Sequence, residues 1–237
     1  MKRFTKAINN VSSSNMMISK RYTQTFTVNG ITETIYTRDD YSLNKCQSIL
    51  KNEKIAILGY GPQGRGQSLN LKDNGFDVCI GLRKGGSSWN KALNDGWEMD
   101  KTLFDIDEAC NKGTVIQYLL SDAGQIQMWP TIKSNLNDGD ALYFSHGFGI
   151  VYHDQTNIKP DNNIDVVLCA PKGPGGLVRS KFLENSGINS SFAIYQDYTG
   201  KAKERILALT FGIGTLNAFE TTFENEVYSD LTGERCV

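Results

Sequence analysis

Three glycines with the spacing G-x-G-x-x-G, Gly59, Gly61 and Gly64, follow a short apolar run at 55–58 and open a helical pattern. Each position has its own physical task. Gly59 permits the tight turn off a strand, Gly61 lets the backbone approach a pyrophosphate, and Gly64 lets the new helix pack close to the strand. The helix N-terminus then presents free N–H groups and the positive end of its dipole to the phosphates. A bare glycine triplet is often only a turn, but the strand before it and the helix after it favour a dinucleotide loop. About twenty residues further on, many NAD enzymes hold the ribose 2′-hydroxyl with an acidic residue. This chain offers Arg83, Lys84, Ser87 and Ser88 there instead. Two cations and two hydroxyls suit a 2′-phosphate, and no carboxylate repels it, so NADPH is expected over NADH. The plainer reading is a solvated pair of charges in a loop.

The other chemistry-bearing residues are few. His146 and His153 are the only histidines. A lone histidine is as often structural as catalytic, and His153 reads as a surface residue. Asp230 and Glu234 lie four apart, on one face of a helix, where like charges cost about 0.2–0.5 kcal/mol. Glu226, one turn earlier, adds to that repulsion. A bound cation would relieve it, although spacing alone favours an acidic, solvated face.

The elements that must position these residues alternate. Strand-like runs fall at 55–58, 77–80, 114–118, 141–144, 165–169 and 191–195, and helical patterns at 63–74, 88–94, 106–111, 123–135, 176–184 and 199–211. A linker-like lead over 26–50 precedes them, with a helix near 42–50. Such alternation implies right-handed crossovers and an α/β fold, a Rossmann-type parallel sheet with helices on both faces. The run at 165–170 does not alternate and reads as a buried central strand. Functional loops in such sheets lie beyond the strand carboxyl ends. His146 follows the fourth strand and Lys172 the fifth, so both should face the nicotinamide edge.

Composition sets limits. A chain of 237 residues with 39% hydrophobic content can bury one sizeable core, and a net charge of −1 argues against a nucleic-acid partner. No apolar run approaches the ~18 residues of a membrane helix. Cys46, Cys79, Cys110, Cys169 and Cys236 are scattered without metal-site spacing and read as buried free thiols. From Met1 to Thr32 there is no acidic residue, whereas Lys2, Arg3, Lys6, Lys20 and Arg21 are basic. Residues 1–24 therefore look like a mitochondrial transit segment, with a disordered basic tail as the alternative.

Taken together, the loops resemble one family, ketol-acid reductoisomerase. The resemblance is carried by 59–67 (Gly-Tyr-Gly-Pro-Gln-Gly-Arg-Gly-Gln), 81–89, 120–125 (Leu-Ser-Asp-Ala-Gly-Gln), 143–148, 170–175 and 230–235 (Asp-Leu-Thr-Gly-Glu-Arg). These motifs occur in order from about residue 28 onward, in the manner of the fungal mitochondrial members. The resemblance implies a magnesium-dependent alkyl migration on a 2-hydroxy-3-keto acid, 2-acetolactate or 2-aceto-2-hydroxybutyrate, followed by NADPH reduction to the dihydroxy acid of valine and isoleucine synthesis. It assigns His146 and Lys172 to catalysis and Asp230 and Glu234 to two Mg²⁺ ions. It also assigns Tyr60, Gln63, Ser121, Asp122 and Gln125, with the glycines, Arg83, Lys84, Ser87 and Ser88, to the cofactor. Ser121 reads equally well as a helix N-cap.

The domain reading is a transit-like segment over 1–24, an NADPH-binding domain over 25–219, and over 220–237 the first helix of an all-helical domain. In the family that domain supplies further metal ligands and the dimer interface, and this sequence stops short of it. The isolated chain is therefore expected to bind NADPH with little or no isomeroreductase activity, and to form a homo-oligomer only with that domain present. The expected location is the mitochondrial matrix. Two alternatives stand beside this reading: a non-catalytic NADPH-binding remnant or interaction module, which would need none of the four polar site residues, and another NADP-dependent hydroxyacid dehydrogenase, which would not depend on magnesium.

Overall fold

The computed structural model describes residues 23–28 and 31–235. Nearly all of the transit-like segment, and Cys236, therefore lie outside the described residues. In chain order the first elements are β1 (Gln24–Val28), β2 (Ile31–Thr37), α1 (Leu43–Ile49), β3 (Ile55–Leu58), α2 (Pro62–Asp73), β4 (Val78–Gly81), α3 (Ser87–Asn94), β5 (Leu103–Phe104), α4 (Ile106–Lys112) and β6 (Val115–Tyr118). They continue with α5 (Asp122–Asn135), β7 (Ala141–Phe144), α6 (Phe148–Val151), α7 (His153–Thr156), β8 (Asp165–Pro171), α8 (Gly175–Leu183), β9 (Ser190–Gln196), α9 (Ala202–Gly212), β10 (Asn217–Glu220) and α10 (Phe223–Arg235).

One sheet holds the described strands in the order β1-β2-β10-β9-β8-β7-β6-β3-β4-β5. Its block from β8 to β5 is parallel throughout. Counted from β3, that block has the doubly wound order 3-2-1-4-5-6, with its switch point between β3 and β6. Successive residues serve opposite faces. Ile55 and Ile57 join the core shared with α1, α2, α3 and α9, whereas Ala56 and Leu58 join the core shared with α4, α5 and Phe223 of α10. Strands covered on both sides must be apolar throughout, and β3, β4, β6, β7 and β8 are buried end to end.

The sheet is mixed rather than wholly parallel. β9 runs antiparallel to β8, pairing Ser190 with Pro171, so the chain re-enters the sheet at the edge it has just left. The cause lies in α8, which docks on α2 instead of crossing the sheet. A Cβ on Gly66 would stand 2.6 Å from the Gly175 carbonyl oxygen. The lead read as linker-like is instead a hairpin of β1 and β2, joined antiparallel to β10. Its sequence signal is Asn29-Gly30 between two alternating, β-branched runs. β5 has two residues and β10 four, too short for periodicity to reveal.

At the opposite edge a buried charge cluster ties the strand starts together. Arg205 reaches Asp165 at 2.9 Å and Glu53 at 2.8 Å, and donates to the Gly139 carbonyl at 2.8 Å. Asp165 is fully buried, and removing one partner from such a set leaves an uncompensated charge. The four described cysteines are free and buried. Burial raises Cys46 and Cys79 to about 11 and Cys110 to about 12, which makes them inert thiols.

The contact between α8 and the glycine loop is close enough to test. A Cβ on Gly175 would lie 2.1 Å from the Pro62 carbonyl carbon, whereas one on Gly176 meets nothing within 4 Å. Gly175→Ala should cost about 1–3 kcal/mol through overpacking, lowering Tm by about 2–10 °C. Gly176→Ala should leave Tm unchanged or slightly higher, and equal melting of the two variants would contradict the contact.

Candidate functional site

The loops leaving the carboxyl ends of β3, β4 and β6 enclose a cavity of about 620 Å³. Of the residues expected at the cofactor, Gly59, Tyr60, Gly61, Arg83, Ser87, Ser88 and Ser121 line it. Three glycines do three different things. Gly59 has φ +108°, and a Cβ there would stand 2.4 Å from the Leu119 carbonyl oxygen at the switch point. A Cβ on Gly64 would lie 2.3 Å from the Gly59 carbonyl oxygen, so α2 starts hard against the turn. Gly61 meets nothing within 4 Å and leaves the mouth of the loop open. It also caps α2 without a side-chain hydrogen bond, as Gly86 does for α3. Two helix N-termini thus reach the cavity with first-turn N–H groups that no capping side chain satisfies.

Arg83, Lys84 and Ser87 are exposed, and among the described residues neither cation has an ion-pair partner. A carboxylate approaches from elsewhere: Asp105, the N-cap of α4, accepts the Lys84 backbone N–H at 3.1 Å and lines the cavity with Asp107. Residue spacing along β4 gives no sign of this, because Asp105 follows β5.

Other expected cofactor residues occupy different places. Gln63 donates to the Gly173 carbonyl at 3.1 Å and so ties the glycine loop to the segment carrying Lys172. Asp122 is exposed in the first turn of α5, beneath Ser121, which caps that helix through Gly124 N–H at 3.4 Å. Gln125 does not line the cavity. It is buried, its amide donating to the carbonyls of Tyr118 at 3.0 Å and Leu120 at 3.2 Å.

Beyond β7 and β8 stand His146 and Lys172, and α10 crosses both. Lys172 Nζ lies 2.5 Å from Glu226 Oε1, and Ser191 donates to the other Glu226 oxygen at 2.6 Å. One turn later Asp230 Oδ2 comes within 2.8 Å of His146 Nδ1. That approach lacks hydrogen-bond alignment, so Nδ1 is left buried without a well-directed partner. The sequence marks Glu226 only as a source of repulsion. The structure turns it inward, 6% exposed, as the counter-charge of Lys172. α10 is held there by Phe223, which packs edge-on to Phe144 with ring centroids 6.2 Å apart, and by buried Val227. A Cβ on Gly147 would strike both, at 2.8 and 3.2 Å. The Glu234 side chain lies outside the described set. His153 is only half-buried, its Nδ1 3.1 Å from the Ile150 carbonyl oxygen, remote from these groups in role.

Residues 49–218 match the family model described as acetohydroxy acid isomeroreductase, NADPH-binding domain. The ketol-acid reductoisomerase (NAD(+)) of Desulfosudis oleivorans is 57% identical over 213 residues, 90% of this chain and 60% of that protein. The mitochondrial ketol-acid reductoisomerase of Neurospora crassa is 52% identical over 87% of this chain and 51% of its own length. A solved NADH-preferring ketol-acid reductoisomerase from an uncultured archean superposes with a TM-score of 0.74 at 41% identity, covering 81% of this chain and 58% of that one. The chain thus spans about half the length of the curated relatives it matches. With the glycine loop, the doubly wound order and the match over 49–218 in agreement, the chain belongs to the acetohydroxy acid isomeroreductase family.

Proposed function

We propose that this chain is the nucleotide-binding part of a ketol-acid reductoisomerase and that its preferred cofactor is NADPH. The observation that carries the reading is the cavity: two uncapped helix N-termini reach it, Arg83 lines it with Lys84 next in the chain, and neither cation is ion-paired among the described residues. The opening at Gly61 gives a pyrophosphate room against the N-terminus of α2. Arg83, Lys84, Ser87 and Ser88 would hold the 2′-phosphate, with Tyr60 and Ser121 along the cavity wall. The bound nucleotide supplies the hydride. Asp105 favours a second reading, NADH, because its carboxylate at the cavity could accept from a ribose hydroxyl. Relatives named for NAD(+) and for NADP(+) both occur.

For the chemistry, Lys172 and His146 stand beyond adjacent parallel strands, each beside a carboxylate of α10. Lys172 Nζ is a charged donor for an oxygen of a 2-hydroxy-3-keto acid, and His146 can hold or release a proton at Nδ1 beside Asp230. Glu226 holds the Lys172 ammonium in place. Asp230 and Glu234 are proposed as this chain's share of magnesium ligands. The described residues alone do not fit an octahedral ion: Glu226 is engaged by Lys172, and no cluster of three or more His, Cys, Asp or Glu side chains occurs among them. The described residues are accordingly proposed to bind nucleotide, with side chains beyond Asp230 and Glu234 completing the metal ligand set. Valine and isoleucine precursors are the proposed substrates.

Fungal relatives named as mitochondrial support a mitochondrial location. A fluorescent reporter fused to residues 1–24 should enter mitochondria; a diffuse cytosolic signal would contradict that. For the cofactor, Arg83→Asp should weaken NADPH binding by about tenfold or more and NADH far less. Equal losses, measured by nicotinamide fluorescence titration, would overturn the 2′-phosphate assignment.

A further inference from the structure

Helix α3 carries Ser87 and Ser88 at its start and Asp95 as its C-cap. A carboxylate at that end opposes the helix dipole, so its place calls for another explanation. Asp95 reaches away from α3 to the glycine loop. Arg65, in the first turns of α2, forks onto it, Nε to Oδ2 at 2.6 Å and Nη2 to Oδ1 at 2.7 Å. Tyr60 Oη donates to Asp95 Oδ2 at 2.9 Å and accepts from Trp97 Nε1 at 2.8 Å. Tyr60 and Trp97 are 3% and 2% exposed. Lys72, further along α2, donates to the Gly96 carbonyl at 2.8 Å and stands 4.5 Å above the Trp97 ring.

Tyr60 sits between Gly59 and Gly61, neither of which has a side chain to anchor the turn. Its hydroxyl therefore tethers the turn on the α3 side, and that tether ends on Asp95, whereas Gln63 ties the loop on the other side to Gly173. The other end of α3 lines the cavity where Ser87 and Ser88 stand. The Arg65 guanidinium holds the Asp95 carboxyl below its usual range, so the fork is charged at neutral pH.

We propose that Asp95 is a positioning residue for nucleotide recognition: by gripping Arg65 and Tyr60 together, it fixes the N-terminus of α3 at a set distance from the glycine loop. A dinucleotide bearing a 2′-phosphate must touch both ends of that distance at once. NADH engages the loop but brings only a hydroxyl and no 2′-phosphate to the α3 end, and adenosine 2′-monophosphate engages the α3 end but has no pyrophosphate. The proposal rests on the reading of the cavity as a dinucleotide site.

The test is calorimetric titration of the whole chain and of Asp95→Asn, Arg65→Met and the double variant with NADPH, NADH and adenosine 2′-monophosphate, with Tm measured for each. Arg65 is 41% exposed in its side chain, which makes Arg65→Met a variant that folds even if Asp95→Asn does not. Each single variant should lose about tenfold in NADPH affinity and less than about threefold for the other two ligands. The double variant should be no worse than either alone, as for two halves of one contact. Equal weakening of NADPH and NADH, or unchanged NADPH affinity in folded Arg65→Met, overturns the positioning role alone. A wild-type chain that binds neither dinucleotide overturns both this role and the cavity reading.

Discussion

The backbone-on-backbone contact around the glycine loop is the constraint from which the rest of the site follows. Gly59 touches the Leu119 carbonyl, Gly64 touches Gly59, and Gly175 touches Pro62, each at a distance no Cβ could share. The turn after β3 is thus wedged between the end of β6 and the start of α8. That wedge brings the switch point of the sheet, the N-terminus of α2 and the segment carrying Lys172 to one edge. It also explains the reversal of β9, since a helix docked so closely on α2 cannot run down the face of the sheet.

A second constraint is electrostatic. Along one helix, Glu226 and Asp230 each stand opposite one polar residue of the sheet edge, Lys172 and His146. Helical spacing of four residues matches the separation of adjacent strand ends. Glu226, which repels its acidic neighbours in an isolated helix, becomes the counter-charge of Lys172 once α10 docks, and Asp230 comes to stand beside His146. Phe223 and Val227 supply that docking, so the apolar face of α10 sets the geometry and its acidic face uses it.

The central strands and their helices were legible because covered parallel strands are short apolar runs bounded by glycine and helix signals. Seven of the expected cofactor residues line the cavity because each lies in a loop or helix start that follows a strand end. What was hidden depends on distant partners. Glu226 reads as an unfavourable neighbour until Lys172, just past β8, and Ser191, of β9, surround it. Asp105 follows a two-residue strand that no period marks, and Gln125 reads as cofactor-facing through a motif although its amide bonds inward to Tyr118 and Leu120. The hairpin of β1 and β2 lay in a segment whose basic, serine-rich neighbour made it look unstructured.

A crystal structure of the chain with NADPH should show the pyrophosphate against the N-terminus of α2 at Gly61 and the 2′-phosphate between Arg83 and the start of α3. A nucleotide seated elsewhere, or one whose 2′-phosphate points to solvent away from Arg83, Lys84, Ser87 and Ser88, would contradict that placement.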